Sequence, residues 1–483
     1  MTPIMKPIGL LALAAATAAC VGPDFHRPAP PQVQSYVHAP QEPSPAQQFL
    51  AEREVPANWW TLFRSEELDG LVEAAFRANP DVTSAQAALR QAMENTAAQR
   101  GNYFPSIQGT FAAARNRDAT GVVQPTLASG NPIYSLFTPQ VTIAYLPDIF
   151  GANRRAVESL AAQAEASRFQ LDATYLTLAA NVVTTAIQAA ALKEQIAATE
   201  RMVGVERESL AILRHELELG AIAELDVYAQ ETALAQLEGT LPPLNKQLFQ
   251  ALDELAVLTG QLPADFAMVE IKLERLNLPE ELPLGVPSQL VERRPDVRAA
   301  EAQLHSATAQ VGVAIANLLP QVTLTGDLGS TATLLGDLFK SGTGFWSLGA
   351  NASQTLFAGG MLIHRKRAAD AALDQAAAQY RRAVLTAFQN VADALHALES
   401  DGQALTAAAR AREAAEKALQ VLRQQLELGS VGYLALLNAE QSLQQAAIAY
   451  VQAESAQYTD TAALFQALGG AVTPTFATTV RRF

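Results

Sequence analysis

The chain has 483 residues, of which 49% are hydrophobic, 17% charged and only 6% aromatic, and about a fifth of it is alanine, a mix that favours long, closely packed helices over several ordinary globular cores. A formal net charge of -14 with no basic block excludes nucleic-acid binding by phosphate neutralisation. One cysteine excludes an intramolecular disulfide framework or a cysteine-rich metal site, and the six histidines lie scattered without metal-ligand spacing. No Gly-rich phosphate loop with its lysine is present, so neither an enzyme nor a cofactor or metal site is expected.

Residues 1–19 carry Lys6, an apolar run from Ile8 to Ala16 and small residues before Cys20, the pattern of a secretory signal peptide. Small residues directly before a lone cysteine resemble a bacterial lipoprotein box, which would make Cys20 the acylated mature N-terminus. Val21 after it resembles lipoproteins sorted to the outer membrane. Residues 20–56, rich in Pro and Gln, then read as an extended arm.

Beyond the arm the chain repeats itself. Asn79-Pro80-Asp81-Val82 matches Arg294-Pro295-Asp296-Val297, Leu217-Glu218-Leu219-Gly220 matches Leu426-Glu427-Leu428-Gly429, and Gly260 answers Gly469. The expected organisation is a first repeat over 57–260, a Pro-rich linker over 261–287, a second repeat over 288–470 and a tail over 471–483. Each repeat holds a proline-free stretch, 151–217 and 361–427, with apolar and small residues at helical spacing; at 1.5 Å per residue each is on the order of 100 Å of helix. Gly220 and Gly429 should end these helices and turn the chain into a returning one.

Between the helices the period changes to two. Strands are expected at about 104–114, 136–146, 320–329 and 345–357. Ile107, Phe111, Val141, Ile143, Leu324, Leu328, Trp346 and Leu348 take one side, and Gln108, Thr142, Thr323, Asp327 and Ser347 the other. Each run is about ten residues, the length a tilted strand needs to cross hydrocarbon. The apolar side is expected to carry no charge, and Tyr103, Tyr134, Tyr145 and Trp346 near the ends read as interfacial anchors. Past the N-terminus no apolar run reaches the roughly 18 residues of a spanning helix, so crossing must be by strands. Four strands cannot close a barrel, and an open edge is not tolerated in lipid, so two, three or four copies must share one.

Several motifs in order carry a resemblance: Cys20-Val21-Gly22-Pro23-Asp24-Phe25 with Arg27-Pro28, then Trp59-Trp60 with Phe63, then Asn79-Pro80-Asp81, and most specifically Gly285-Val286-Pro287-Ser288 with Arg293-Arg294-Pro295-Asp296 and Ala300-Glu301. The chain resembles the outer-membrane efflux lipoproteins of the OprM and NodT type, relatives of TolC. The resemblance implies an internally duplicated α+β membrane protein: a TolC-like homotrimer with a shared twelve-stranded transmembrane β-barrel, four strands per chain, and a long periplasmic α-helical barrel. It also implies a bacterial outer-membrane location and docking to a periplasmic adaptor and an inner-membrane pump of the resistance-nodulation-division (RND) class.

By the same resemblance the hairpin turns form the periplasmic mouth, with adaptor-docking tips at Gly220, Ala221, Ile222, Gly429 and Ser430. Relatives often close this mouth with an acidic ring; here the matching place holds Val431 and Gly432. A gate of apolar and tyrosine contacts is expected instead, at Val431, Gly432, Tyr433 and Leu434. Trp59 and Trp60 read as buried anchors of a short helix, and Asp226 as a cap of the returning helix. The leading function is a passive exit duct for small molecules. A coiled-coil periplasmic tether, and the same duct serving type I protein or peptide secretion, remain alternatives at this level.

Overall fold

The structure is a computed structural model that describes residues 21–33, 35–37, 47–51, 55–119, 131–267 and 271–470. The signal segment with Cys20 and the tail over 471–483 lie outside the described residues. In chain order the elements are β1 (Gln48–Ala51), α1 (Glu66–Ala78), α2 (Pro80–Arg100), β2 (Ser106–Arg117), β3 (Ile133–Tyr145), α3 (Ala152–Glu218), α4 (Glu224–Glu238), α5 (Leu241–Leu258), β4 (Glu281–Leu284), α6 (Pro287–Arg293), α7 (Pro295–Ala316), β5 (Gln321–Ser330), β6 (Gly344–Ser353), α8 (Met361–Glu427) and α9 (Tyr433–Ala467). Helices α3 and α8 are each 67 residues long and continuous.

The chain forms two compact units. The first, Met1–Arg27, Leu89–Ser167 and Ala300–Tyr380, carries an antiparallel sheet in the order β2-β3-β5-β6. Its register runs without a bulge from Ser106↔Ala144 to Arg117↔Ile133, and from Gln321↔Ser353 to Ser330↔Gly344, so the period of two is kept on every strand.

The second unit, Pro28–Ala88, Arg168–Ala299 and Arg381–Phe483, is helical around an aromatic cluster. Trp59 and Phe63 are fully buried in a short 3-10 helix. Trp59 packs on Phe465 at 5.5 Å, Trp60 edge-on to Phe76 at 5.4 Å and Phe76 edge-on to Tyr175 at 5.2 Å. The two tryptophans are thus structural anchors, since rings this deep have no surface left for a passing solute. Helix α1 feeds the cluster because Leu68, Leu71, Val72, Ala75 and Phe76 recur on one face, and Ser65 caps it by accepting from the Leu68 N–H at 3.2 Å.

The arm and the linker read as irregular in sequence, yet β1 and β4 pair in parallel from Gln48↔Glu281 to Ala51↔Leu284. Gln47 locks them, donating to the Pro279 carbonyl at 3.0 Å and Thr461 Oγ1 at 3.1 Å. Four-residue strands without a second ladder leave no periodic signal to read. A further departure concerns α3, which holds an 18-residue window of mean hydropathy 1.4, apolar and long enough to span a membrane. Because 78% of that window is buried inside the protein, its apolarity serves helix packing rather than lipid contact.

Two helix starts in this unit are fastened to two helix ends in the same manner. Asn79 Oδ1 accepts from the Asp81 N–H at 2.8 Å while its Nδ2 donates to the Leu258 carbonyl at 3.0 Å. Arg294 forks onto Asp296 at 3.0 and 2.7 Å while Nη1 donates to the Ala467 carbonyl at 2.9 Å. Behind each carbonyl a glycine turns the chain, Gly260 and Gly469, both at φ +72°. The motif residues Arg294, Pro295 and Asp296 therefore start a helix, with proline at its first position and an acid in its first turn.

Candidate functional site

The sheet separates two chemistries. On one face Ile107, Phe111, Val141, Ile143, Leu328, Trp346 and Leu348 are all exposed, Leu348 by 80% and Trp346 by 73%. A contiguous apolar face of this size needs cover that water does not supply. The other face carries Gln108, Thr142, Asp327 and Ser347 as one cross-strand row. Thr142 Oγ1 donates to Asp327 Oδ1 at 2.7 Å and Ser347 Oγ to Oδ2 at 2.9 Å. A hydrogen-bonded carboxyl belongs on a water side and an uncharged run of large apolar side chains against lipid, so the two faces suit different surroundings. At the strand ends Phe104, Leu356 and Phe357 are exposed by 72%, 91% and 89%, large side chains at the level where the strands meet the helices.

Two expectations for the sheet are corrected by its register. Strand β2 continues to Arg117, so Arg115 and Arg117 extend the apolar face and that face is not free of charge. Both lie in the last turn of the ladder, where long cationic side chains reach out of hydrocarbon. Tyr134 is paired with Asn116 on the polar face, its hydroxyl donating to Asp118 Oδ1 at 3.3 Å. It is therefore no lipid-facing anchor.

The helix tips come from the second unit. At the first, the Ala221 N–H returns to the Glu216 carbonyl at 2.9 Å and the Gly220 N–H to Leu217 at 2.9 Å, with Gly220 at φ +73°. At the second, Ser430 N–H returns to Gln425 and Gly429 N–H to Leu426, each at 2.9 Å, with Gly429 at φ +68°. This double closure with a left-handed glycine is the Schellman pattern. Beneath each turn lies a small apolar plug, Leu210, Leu213 and Val227 with Leu217, Ile222 and Leu234, and then Leu419, Leu436 and Ala439 with Leu422, Leu426 and Leu443. An ion pair brackets each, Arg214–Glu231 at 2.7 Å and Arg423–Glu440 at 3.1 Å.

Gly220, Ala221, Gly429 and Ser430 are exposed, whereas Ile222 turns into its plug and Ser430 Oγ caps the Gln425 carbonyl at 2.9 Å. Asp226 Oδ2 accepts from the Ala223 N–H at 3.2 Å, closing the start of α4 as the sequence suggested. At the second tip Gly432 is the N-cap of α9 and Val431 is half-buried. The side chains of Tyr433 and Leu434 lie outside the described residues. Sequence reasoning missed Leu219, Leu225, Tyr228 and Leu428, exposed by 71%, 75%, 58% and 82%. For Leu219 and Leu428 the signal is an apolar residue beside a turn glycine; Leu225 and Tyr228 are apolar residues on the outer side of the first turns of α4.

The arm just after Cys20 is fastened within the first unit. Gly22, at φ +108°, lies so close to Gly312 that a Cβ on it would stand 2.5 Å from the Gly312 Cα. Asp24 pairs with buried Arg155 at 2.6 Å, Arg155 with Glu158 at 2.8 Å, and Glu158 with His305 Nε2 at 2.9 Å. Phe25 stacks on the His305 ring at 4.4 Å and Arg27 pairs with Glu301 at 3.0 Å. Asp24's carboxyl is held below the usual carboxylate range by the Arg155 hydrogen bond and charge. These partners stand far from the arm in sequence, so no local pattern announced them.

Comparison with known proteins agrees with this geometry. The sequence model of the outer membrane efflux protein family matches residues 71–261 and 286–470. The pyoverdine export outer membrane protein OpmQ of Pseudomonas aeruginosa is 29% identical over 415 residues, covering 85% of this chain and 87% of the relative. Outer membrane protein OprJ of the same organism is 28% identical over 479 residues, covering 96% and 95%. Among solved structures the outer-membrane channel OprN superposes with a TM-score of 0.84 at 29% identity, covering 94% of this chain and 100% of that one. The open-state MtrE channel of Neisseria gonorrhoeae, at 24% identity and a TM-score of 0.83 over 94% and 99%, shares the fold. The chain belongs to the outer membrane efflux protein family and, with the TolC-like channel fold, is an outer-membrane efflux channel component whose helical part lies in the periplasm.

Proposed function

We propose that the chain works as a homotrimer whose three four-stranded sheets close a twelve-stranded barrel continued by a helical tunnel, a passive exit duct driven by an RND-type pump through a periplasmic adaptor. The observation that carries this reading is the sheet itself: an exposed apolar face, a polar face with an acid, and edge strands β2 and β6 that pair with nothing among the described residues. Edges of this kind are closed in lipid only by further copies. A periplasmic tether would have no use for such a wall, and the relatives' names speak of export and efflux. Three functionally distinct solutes appear in those names, pyoverdine, toluene and antibiotics, so small organic molecules are the cargo class proposed here.

In this reading Cys20 carries the lipid anchor, and residues 20–56, 57–260, 261–287 and 288–470 are arm, first repeat, linker and second repeat. The recurrence of plug, ion pair and glycine turn at both tips supports the duplication. Gly220, Ala221, Ile222, Gly429 and Ser430 form the docking turns, and Leu219 and Leu428 give them an apolar contact surface. Val431, Gly432, Tyr433 and Leu434 form the gate.

Photocrosslinking from Ser430 in intact cells tests the assembly. Capture of an adaptor that co-purifies with an RND pump is the expected result. Capture of an adaptor from a secretion system would reassign the cargo, and no capture by a well-expressed, trimeric protein would remove the docking role from the tips.

A further inference from the structure

We propose that Asp327 forms an anionic ring inside the strand wall that favours passage of cationic over anionic solutes. The inference rests on the trimeric-barrel reading, which sets three copies of Asp327 at one height. Strands β2, β3, β5 and β6 contain three charged residues, Arg115, Arg117 and Asp327. Register puts the two arginines on the apolar face and Asp327 on the polar one. The lumen face of the wall thus carries a net negative charge, and no basic side chain among the described residues pairs with Asp327 to cancel it.

The carboxylate is also built in. Its two oxygens each accept from a neighbouring strand, Thr142 at 2.7 Å and Ser347 at 2.9 Å, and Gln140 Nε2 donates to Thr142 Oγ1 at 3.0 Å behind them. Hydroxyls directly opposite in register tether both oxygens to the neighbouring strands, and one donor on each leaves the carboxylate with acceptor capacity for a cation. A ring of fixed charges on a low-dielectric wall concentrates counter-ions within about a Debye length, ~10 Å at 0.1 M salt. Rings of charged side chains set ion preference in other pores on the same principle.

The test is local, so that the tunnel and its gate do not contribute. Thr325, two residues from Asp327 on the same strand face and exposed, is replaced as Thr325→Cys, and cells are treated from outside with cationic and anionic methanethiosulfonate reagents of similar size. The chain with Cys20 alone is the blank, and Leu348→Cys, on the apolar face, is the orientation control. The expected result is faster cationic labelling of Thr325→Cys, a rate ratio that falls at least about three-fold when Asp327→Asn is added, and a ratio that shrinks with added salt. Selective labelling of Thr325→Cys with a ratio unmoved by Asp327→Asn overturns the anionic ring and leaves the barrel standing. Equal labelling of Thr325→Cys and Leu348→Cys overturns the barrel reading itself, and the ring with it.

Discussion

Arg155 Nη2 lies 2.6 Å from Asp24 Oδ1, a contact between the fifth residue of the expected mature chain and the first turn of a 67-residue helix. The guanidinium is 4% exposed and Asp24 is 74% exposed, so the two ends of the pair are unequal. Arg155 is the half that the fold cannot release. Arg155→Ala leaves Glu158 without its cation in a largely buried place and is expected to cost about 2–3 kcal/mol, read as a lowered Tm. It should also expose residues 21–28 to limited proteolysis. Arg155→Ala with an arm as protease-resistant as before would show that Gly22, Phe25 and the Arg27–Glu301 pair hold it without Asp24.

The turn glycines sort into two classes. A Cβ on Gly260 would stand 2.4 Å from the Ala78 carbonyl oxygen, while one on Gly220 would meet nothing within 4 Å. Gly220→Ala pays only the left-handed backbone cost, about 1 kcal/mol. Gly260→Ala adds a backbone clash that no side-chain movement relieves, and should lose several times that stability or fail to accumulate. Comparable accumulation of the two variants in the outer-membrane fraction would contradict the assigned geometry.

Asp401 provides a pH dependence. Burial, then the neighbouring Asp460 carboxyl, pushes its pKa up to about 7. The folded chain therefore holds a proton that the unfolded chain releases near the ordinary Asp value of about 3.9. Between those values the folded state binds more protons, so this site's contribution to stability is fully present below pH 4 and declines as pH rises toward 7, then levels off. Asp401→Asn should flatten this decline and raise the Tm at pH 7.5 relative to pH 5. Parallel Tm profiles for the two proteins would remove the site from the pH response.

The gate prediction concerns Val431, half-buried at the second turn. An apolar constriction excludes water when closed, so Val431→Ser is expected to raise the closed-state conductance in single-channel recordings several-fold. Unchanged closed-state conductance would reject an apolar gate.

Both tips expose a leucine beside the turn glycine, Leu219 and Leu428. Leu428→Asp and Leu219→Asp remove apolar contact area without touching either plug, so folding and membrane delivery should persist while the export-dependent rise in inhibitory concentration falls at least about four-fold. Full export from both variants would move the adaptor contact away from the turns.

By itself the sequence determined whatever repeats over a short period. The long helices were readable from proline-free stretches at helical spacing, and the sheet's two faces from strict alternation, because a period of two survives only where one face is kept apolar. Turn glycines at 220 and 429 were legible because a left-handed reversal has few substitutes. Tertiary structure alone decided what depends on distant partners: the parallel pairing of β1 with β4, the seat of Asp24 and Phe25 on Arg155 and His305, and the inward turn of Ile222. It also decided which face Tyr134 takes, since register is fixed by the whole ladder and not by the identity of a residue at its end. Asp327 joins the two. Its alternation was visible in the chain, but only the pairing of three strands showed that Thr142 and Ser347 stand beside it to hold its charge.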